Sequence, residues 1–281
     1  MQDSRYCFRP IASRGTILTP NSKFQLTKWY ADCVGHNGDA VIVYYGIARW
    51  RAITLQYTSI LEAAFGKQAT ARYSLRKSPT PVERGTTIRW QAKSLGITGV
   101  WERLDPPFET KIYASREGVV QWRCLHPRSR ATVNLGDGRV LQGLGYLERL
   151  DMTVAPWKLP IEELRWGRFS SDSDSLVWIN WRGAHSCRIV LHNGLPCSAS
   201  AIEEDEITLN RTVRLRVARG DVLRKGALGA TALAVIPRLV RLLPNKMLKV
   251  QECKWRSRAE LRRGESNSSG WAIHEVVTWP H

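Results

Sequence analysis

The stretch KWYADCV-GHNGD-AVIVYYGIARWRA, from Lys28 to Ala52, indicates the fold class. Both flanks are rich in β-branched and aromatic residues, which favour strands. The segment between them contains an Asn-Gly pair, which supplies the positive φ angles that a tight turn requires. The stretch therefore predicts an antiparallel hairpin with strands Lys28 to Val34 and Ala40 to Ala52.

The same pattern continues along the chain. Short runs such as Thr98 to Arg103, Val140 to Met152 and Ser175 to Trp181 alternate apolar and polar residues, and Gly, Asn, Asp or Pro separates them. About sixteen such runs without strand–helix–strand alternation predict an all-β protein of two antiparallel barrel or sandwich units.

Helical pattern is scarce. Gly226 to Leu243 is the one amphipathic helix predicted, Leu159 to Trp166 has room for a helical turn or two, and Ala52 to Gly66 fits a strand or a helix. Pro and Gly cluster between Leu125 and Gly145, which places the predicted boundary there. We expect an N-terminal unit at 1–135 and a C-terminal unit at 136–281, the latter with a helix near 226–243.

The chain is strongly basic, with 42 Lys and Arg against 25 Asp and Glu in 281 residues and a formal charge of +17. Strand alternation puts much of this charge on one face, which we interpret as a solvated sheet exterior. An anionic membrane, contacted peripherally through this face and residues 237–249, is the first alternative partner. Nucleic acid is less favoured, since no motif of a nucleic-acid-binding fold occurs. In the predicted strand near the C-terminus, the basic face comprises Lys254, Arg256, Arg258 and Arg262, and the opposite face carries Trp255, Ala259 and Leu261.

Cysteine usage and the N-terminus predict a cytoplasmic location. The six cysteines are widely spaced and lack a Cys-x-x-Cys pair, so a disulfide scaffold is not expected. The first residues lack the apolar segment of a signal peptide. The longest apolar stretch is interrupted by Pro237, Arg238 and Arg241, so no spanning helix is predicted.

Several reaction classes lack their sequence motifs. Neither a phosphate-binding glycine loop nor a dinucleotide fingerprint occurs, and neither does a Gly-x-Ser-x-Gly elbow or a His-Glu-x-x-His pair. The closest metal-like pairs are Cys124 with His126 and His185 with Cys187, and neither has a carboxylate partner nearby in sequence. We therefore expect no metal and no organic cofactor.

Aromatic residues and one carboxylate stand out at strand positions. The chain has 12 Trp against 5 Phe. Alternate strand residues line the interior of a barrel, so such residues predict either core packing or the floor of an apolar cavity. Tyr146 and Glu148 lie two residues apart and therefore on one face of a strand.

These residues also carry a resemblance to a known family. Gly145-Tyr146, Glu148 and Trp166-Gly167, together with the opening Trp29-Tyr30-Ala31-Asp32, resemble bacterial carotenoid 1,2-hydratases and, more distantly, tocopherol cyclases. The resemblance spans roughly residues 28 to 182 and implies two lipocalin-like units. Leu147, Glu148 and Arg149 stand where the hydratase pattern has His-Asp-His, and Glu is nearer the cyclase version.

The family chemistry implies roles for individual residues. Protonation of an alkene needs a neutral acid in a dry pocket and aromatic faces that stabilise a cation. Glu148 would be the general acid, oriented by Tyr146, with Asp32 as a second candidate acid. The expected substrate-binding residues are Trp29, Tyr30, Trp122 and Trp166.

Structural roles compete with these catalytic ones. Glu148 could be ion-paired with Arg149, Arg123 or Arg165, and Asp32 could be a hydrogen-bonding residue at a strand end. Three functions therefore stay open: a cofactor-independent hydratase, cyclase or isomerase acting on a terpenoid or polyketide in a barrel cavity, a non-catalytic carrier of a lipophilic ligand, and a basic interaction module.

Overall fold

The structure is a computed structural model that describes residues 23–231 and 243–280. The described residues form two ten-stranded antiparallel sheets. The strands of the first sheet are β1 (Phe24–Val34), β2 (Ala40–Trp50), β3 (Ile53–Ala63), β4 (Thr70–Ser74), β5 (Val82–Arg84), β6 (Thr87–Ala92), β7 (Ile97–Arg103), β8 (Phe108–Ser115), β9 (Gly118–Asn134) and β10 (Val140–Met152).

The second sheet begins after a short connection that contains one 3₁₀ turn, Pro156–Lys158. Its strands are β11 (Glu163–Ser170), β12 (Ser175–Arg182), β13 (Cys187–His192), β14 (Leu195–Cys197), β15 (Ala201–Ile202), β16 (Glu206–Thr208), β17 (Val213–Val217), β18 (Asp221–Ala227), β19 (Gln251–Arg263) and β20 (Ser266–Thr278).

Helices contribute little to the described part of the chain. A 3₁₀ turn spans Lys93–Leu95 and a single α-helical turn spans Asn245–Leu248. Within residues 23–231 and 243–280, no helix has the length and apolar character needed to cross a membrane.

The two sheets repeat one topology. The first has the order β4-β3-β2-β1-β10-β9-β7-β6-β5, with β8 paired to β9. The second has the order β14-β13-β12-β11-β20-β19-β17-β16-β15, with β18 paired to β19. Every strand number in the second sheet is ten higher than that of its counterpart, so β10 corresponds to β20 and β9 to β19. The predicted pair of antiparallel β units is confirmed.

The hairpin read from Lys28 to Ala52 is confirmed as β1 and β2, which pair along their whole length. Gly38 at the turn has a φ of +92°, as the Asn-Gly pair predicts. Asn37 contributes through its side chain: its Oδ1 accepts the Asp39 backbone N–H at 3.0 Å, which closes an Asx turn.

Three segments differ from the sequence-based expectation. β11 is a strand where a helical turn was predicted, because Trp166 to Ser170 are buried on both faces and show no alternation. β18 includes Gly226 and Ala227, the start of the predicted helix; residues 232–242 of that helix lie outside the described residues. The chain leaves the first sheet after Met152, later than the predicted division at 135/136, because β10 pairs with β1 and β9.

Buried apolar side chains form three clusters. One lies within the first unit around Trp90 and Trp101, and another within the second around Phe169 and Trp178. The largest cluster contains residues of both sheets, and we call it the inter-sheet layer. Its aromatic members include Tyr30, Tyr44, Trp122, Tyr146, Trp166 and Trp271.

The predicted basic exterior is wrong for the centre of β19. Lys254 and Arg256 are each 1% exposed and face the inter-sheet layer. Arg256 donates hydrogen bonds to the carbonyls of Gly38 (2.5 Å) and Ala63 (2.8 Å) in the first unit. The face of one sheet that would be its exterior is covered by the other sheet, so alternation alone misplaced these charges. Arg214 and Arg216 of β17 are exposed.

Candidate active site

The inter-sheet layer places two glutamates at equivalent positions of the two units. In the first sheet, Glu148 of β10 is opposite Tyr30 of β1. In the second, Glu275 of β20 is opposite Trp166 of β11. The rings of Tyr30 and Trp166 meet edge to face with their centroids 5.0 Å apart, so the two glutamate positions flank one aromatic contact between the sheets.

Glu148 is anchored by one carboxyl oxygen. Its Oε2 accepts hydrogen bonds from the Tyr146 hydroxyl and from the Trp122 indole N–H, both at 2.6 Å. Its Oε1 forms no hydrogen bond with any residue in the described ranges. The side chain is only partly buried, whereas Tyr146 and Trp122 are fully buried. One oxygen is therefore held rigidly, and the other is open to a ligand.

Burial raises the pKa of Glu148 above its ordinary value. The hydrogen bonds from Tyr146 and Trp122 and the charge of Lys28 lower this pKa in part, and Glu275 adds to the rise. Glu148 pairs with none of the arginines named as alternatives: Arg149 pairs with Asp151, Arg123 with Glu109 and Arg165 with Glu163. Among the described residues it forms no ion pair, so its environment favours the neutral acid.

Glu275 has the opposite environment. It forms a buried ion pair with Lys254, which stands opposite it on β19. Burial alone would raise the pKa of Glu275, but the Lys254 ammonium, helped by Lys28 and Arg224, lowers it. Glu275 in turn raises the pKa of Lys254 against the effect of burial. This pair is therefore charged.

Lys254 also lies close to the rings of Tyr30 and Trp166, which meet between the sheets. Its Nζ lies 5.0 Å from the ring centroid of Trp166 and 5.5 Å from that of Tyr30, within the range of a cation–π interaction. Trp166 was expected to bind the substrate through its aromatic face. In the structure an ammonium group of the protein already lies there.

Lys28 is a further basic residue near the two glutamates. It is partly buried on β1, and its Nζ lies 5.2 Å from the ring centroid of Tyr44. No ion pair joins it to any carboxylate in residues 23–231 and 243–280. Its charge lowers the pKa of both Glu148 and Glu275.

Asp32, the second candidate acid, is a structural residue. It is fully buried and pairs with the equally buried Arg168 of the second unit at 2.6 and 3.0 Å. The Tyr30 hydroxyl (3.0 Å) and the Tyr146 backbone N–H (3.1 Å) also donate to it. Four donors surround the carboxylate, so it joins the two sheets through charge-assisted hydrogen bonds.

Trp29 is the one predicted site residue that the structure separates from the others. It lies on the opposite face of β1 from Tyr30 and belongs to the cluster inside the first unit. A cavity there, lined by Trp29, Trp90 and Trp101, has a volume of about 10 Å³, room for about one water molecule. The first unit is therefore filled, and the predicted barrel cavity is not found at Trp29.

The structure brings together six of the seven predicted residues: Glu148, Tyr146, Tyr30, Trp122 and Trp166 around the inter-sheet layer, and Asp32, which accepts hydrogen bonds from Tyr30 and Tyr146. It adds Lys28, Lys254 and Glu275, which the sequence analysis did not assign to the site. A usable signal existed for Glu275, the one acid on a face of β20 that otherwise carries Trp271, Ile273 and Val277. No group of three or more potential metal ligands occurs in the part of the chain that the structure describes.

Comparison with known proteins identifies the fold. No family model and no curated protein matches the sequence. A solved structure of CghA matches 99% of this chain and 97% of its own, with a TM-score of 0.57 and 11% identity; CghA with Sch210972 matches with a TM-score of 0.56 and 9% identity over 97% and 96%. Kievitone hydratase from Nectria haematococca matches 98% of both chains, with a TM-score of 0.52 and 10% identity.

An ATTH-like protein from Nitrosomonas europaea has the same TM-score, 0.52, at 9% identity over 95% of this chain and 98% of its own. These matches span both sheets and their connection, and at such low identity they establish the architecture alone. The chain therefore shares the fold of these proteins, two lipocalin-like antiparallel β units.

Proposed function

We propose that the protein is an enzyme that protonates a carbon–carbon double bond of a hydrophobic substrate and so catalyses a hydration, cyclisation or isomerisation, with Glu148 as the general acid. The observation that carries the proposal is the asymmetric anchoring of Glu148: two donors hold Oε2, while Oε1 is open and burial raises the pKa. Kievitone hydratase shares the fold, which supports this reaction class by analogy.

The anchoring decides where the proton resides. Because Oε2 already accepts two hydrogen bonds, the proton of neutral Glu148 belongs on Oε1. Glu148 is only partly buried, so we place the substrate at this oxygen. A substrate that binds next to Oε1 contacts an acidic proton, while Tyr146 and Trp122 hold the other carboxyl oxygen in place.

The same contacts stabilise the conjugate base. When Glu148 gives up its proton, negative charge develops on the carboxylate, and the Tyr146 hydroxyl and the Trp122 N–H already donate to it. Lys28 adds a positive charge nearby. Attack of water on the resulting cation and return of one proton to the Glu148 carboxylate complete a hydration. Loss of a neighbouring proton to the same carboxylate completes an isomerisation. Attack by a second double bond, followed by loss of a proton to this carboxylate, completes a cyclisation.

The substrate approaches between the ends of the central strands. Each strand has a partly buried segment there: Phe24 to Lys28 on β1, Glu148 to Leu150 on β10, and Glu163 to Arg165 on β11; on β10 the two residues that follow are buried again. Apolar side chains at this end pack against the inter-sheet layer, which suits a hydrophobic terpenoid or polyketide. They include Phe24, Leu26, Tyr57, Leu150, Leu164 and Met247.

The test is native mass spectrometry and solvent extraction of the purified wild type and of Glu148→Gln. The amide keeps the size and the acceptor oxygen but cannot donate an acidic proton, so unreacted substrate should accumulate in the variant. We expect turnover to fall by about 10²–10⁴-fold when the compound recovered from the variant is supplied to both proteins.

Glu260→Gln is the matched control, since Glu260 is an exposed strand glutamate of β19. It should copurify with the wild-type molecules and retain full turnover. If wild type and Glu148→Gln bind the same compound unchanged, the protein is a carrier of a lipophilic ligand and the enzyme proposal is wrong. No bound lipophilic compound in any of the three proteins would favour a basic interaction module.

A further inference from the structure

A second cavity lies at the other end of the inter-sheet layer, beyond the pair of Asp32 and Arg168. Its volume is about 90 Å³, enough for several water molecules or one small ligand. Both units contribute to its walls. The lining residues are Val34, Gly35, His36, Leu144, Arg168, Ser170, Ser171, Asp172, Arg258, Ser269, Gly270 and Trp271.

Two buried donors on these walls lack partners. Ser170 is 2% exposed, and its hydroxyl forms no hydrogen bond with any described residue. Trp271 is 7% exposed, and its indole N–H is likewise without a partner among the described residues. Buried polar groups are nearly always paired, so these two neighbouring donors are available to an acceptor in the cavity.

The cavity also has a positively charged wall. The guanidinium of Arg258 lies 3.8 Å from the ring centroid of Trp271 and forms no ion pair with any residue of 23–231 and 243–280. Arg168 lines the same space but is committed to Asp32. The other ionisable groups on the walls are the exposed His36 and Asp172. Guanidinium, hydroxyl and indole N–H are all donors, which suits an oxygen-rich acceptor.

We propose that this cavity binds a small oxyanion, either a tetrahedral anion such as phosphate or a carboxylate group, between Arg258, Ser170 and Trp271. The site joins the second unit to the turn after β1 in the first unit. It is separate from Glu148, and it stands or falls independently of the proposed reaction.

The experiment follows the indole N–H resonance of Trp271 in the full-length protein by ¹H–¹⁵N correlation, with Trp271→Phe used only to assign the peak. Inorganic phosphate and acetate are titrated separately at an ionic strength held constant with chloride. We expect a saturable shift of this resonance, and the arm that saturates at lower concentration identifies a tetrahedral anion or a carboxylate as the preferred ligand.

The variants separate the site from general charge effects. Arg258→Gln should weaken binding by about tenfold or more, the loss expected for one charged hydrogen bond, and Ser170→Ala should weaken it less. Arg262→Gln, another exposed arginine on β19, should leave the affinity unchanged. A shift that does not saturate in either arm would mean that the cavity holds water alone, and equal affinities of wild type and Arg258→Gln would also overturn the proposal.

Discussion

Glu148 and Glu275 occupy matching positions in two repeats of one topology, yet their environments favour opposite charge states. Glu148 is on β10 and Glu275 is on β20, the last strand of each unit in chain order. Each is opposite an aromatic residue of the neighbouring strand, Tyr30 or Trp166. The residue on the next strand differs: Cys124 stands opposite Glu148, and Lys254 stands opposite Glu275. Cys124 is neutral, so burial raises the pKa of Glu148. The ammonium group of Lys254 lowers the pKa of Glu275 and keeps this carboxylate ionised.

Matching positions of the two repeats therefore carry a carboxyl whose pKa is raised and a carboxylate whose pKa is lowered by its ion pair. Pairs of titratable groups whose surroundings push their pKa values apart are the usual mark of divided acid and base roles. Here the divergence arises from one cross-strand position in each unit, Cys124 or Lys254; the Tyr146 hydroxyl lowers the pKa of Glu148 and so reduces the difference. Three predictions test the contrast.

The largest effect should come from breaking the charged pair. Lys254→Met leaves the buried carboxylate of Glu275 without its partner, so the free energy of unfolding should fall by about 3–5 kcal/mol. Glu148→Gln should cost less than about 1 kcal/mol, because the amide oxygen still accepts from Tyr146 and Trp122. Urea denaturation followed by circular dichroism measures both.

The double variant Lys254→Met/Glu275→Leu is the control for the pair. It removes both charges and should recover most of the lost stability. Equal losses for Lys254→Met and Glu148→Gln would show that the two carboxylates do not differ in the way proposed.

A smaller effect should appear in the titration of the two acids. Carboxyl ¹³C resonances of glutamate-labelled protein, assigned with Glu148→Gln and Glu275→Gln, should place the pKa of Glu148 above and that of Glu275 below 4.5, the ordinary value. Tyr146→Phe removes a donor that stabilises the Glu148 carboxylate, and should raise that pKa further by about one unit. An unchanged Glu148 titration in Tyr146→Phe would contradict the anchoring role.

The smallest effect is in the pH dependence of stability. The pKa of Glu148 is raised in the folded state, so its favourable contribution is complete below about 4.5 and is lost as pH rises through the folded value. Glu148→Gln lacks this loss. The difference in free energy of unfolding between the variant and wild type should therefore shift in favour of the variant as the pH rises from 4 to 8. The lowered pKa of Glu275 acts in the opposite sense, with stability lost as pH falls below 4.5. Thermal denaturation across this range, with Glu260→Gln as control, measures the trend.

A third carboxylate sharpens the contrast. Asp32 lies on the same face of β1 as Tyr30, but all its contacts are donors and its partner Arg168 belongs to the other sheet. Trp-Tyr-x-Asp in the sequence suggested an acid at this position. Because the chain positions of Asp32 and Arg168 are 136 residues apart, the local motif contains no sign of the arginine that makes it a structural link.

Features that depend on residues close together in sequence were predicted correctly, and features that depend on distant strands were not. The β1–β2 hairpin and the strand from Val140 to Met152 were predicted, because their alternation and turn residues are local. β11 was missed, because a strand between two neighbours in a sheet that packs on another sheet is buried on both faces and loses its alternation. Lys254 and Arg256 were placed on the wrong surface because alternation separates two faces without telling which one is covered.

The sequence by itself determined the all-β class, the two-unit architecture, and the placement of Tyr146 and Glu148 on one face of a strand. The tertiary structure alone decided that this face packs against the other sheet, that Trp29 turns away from it, and that Lys254 rather than a substrate lies over Trp166. The physical reason is that strand periodicity is a property of neighbouring residues, whereas burial and charge state depend on groups that arrive from distant strands.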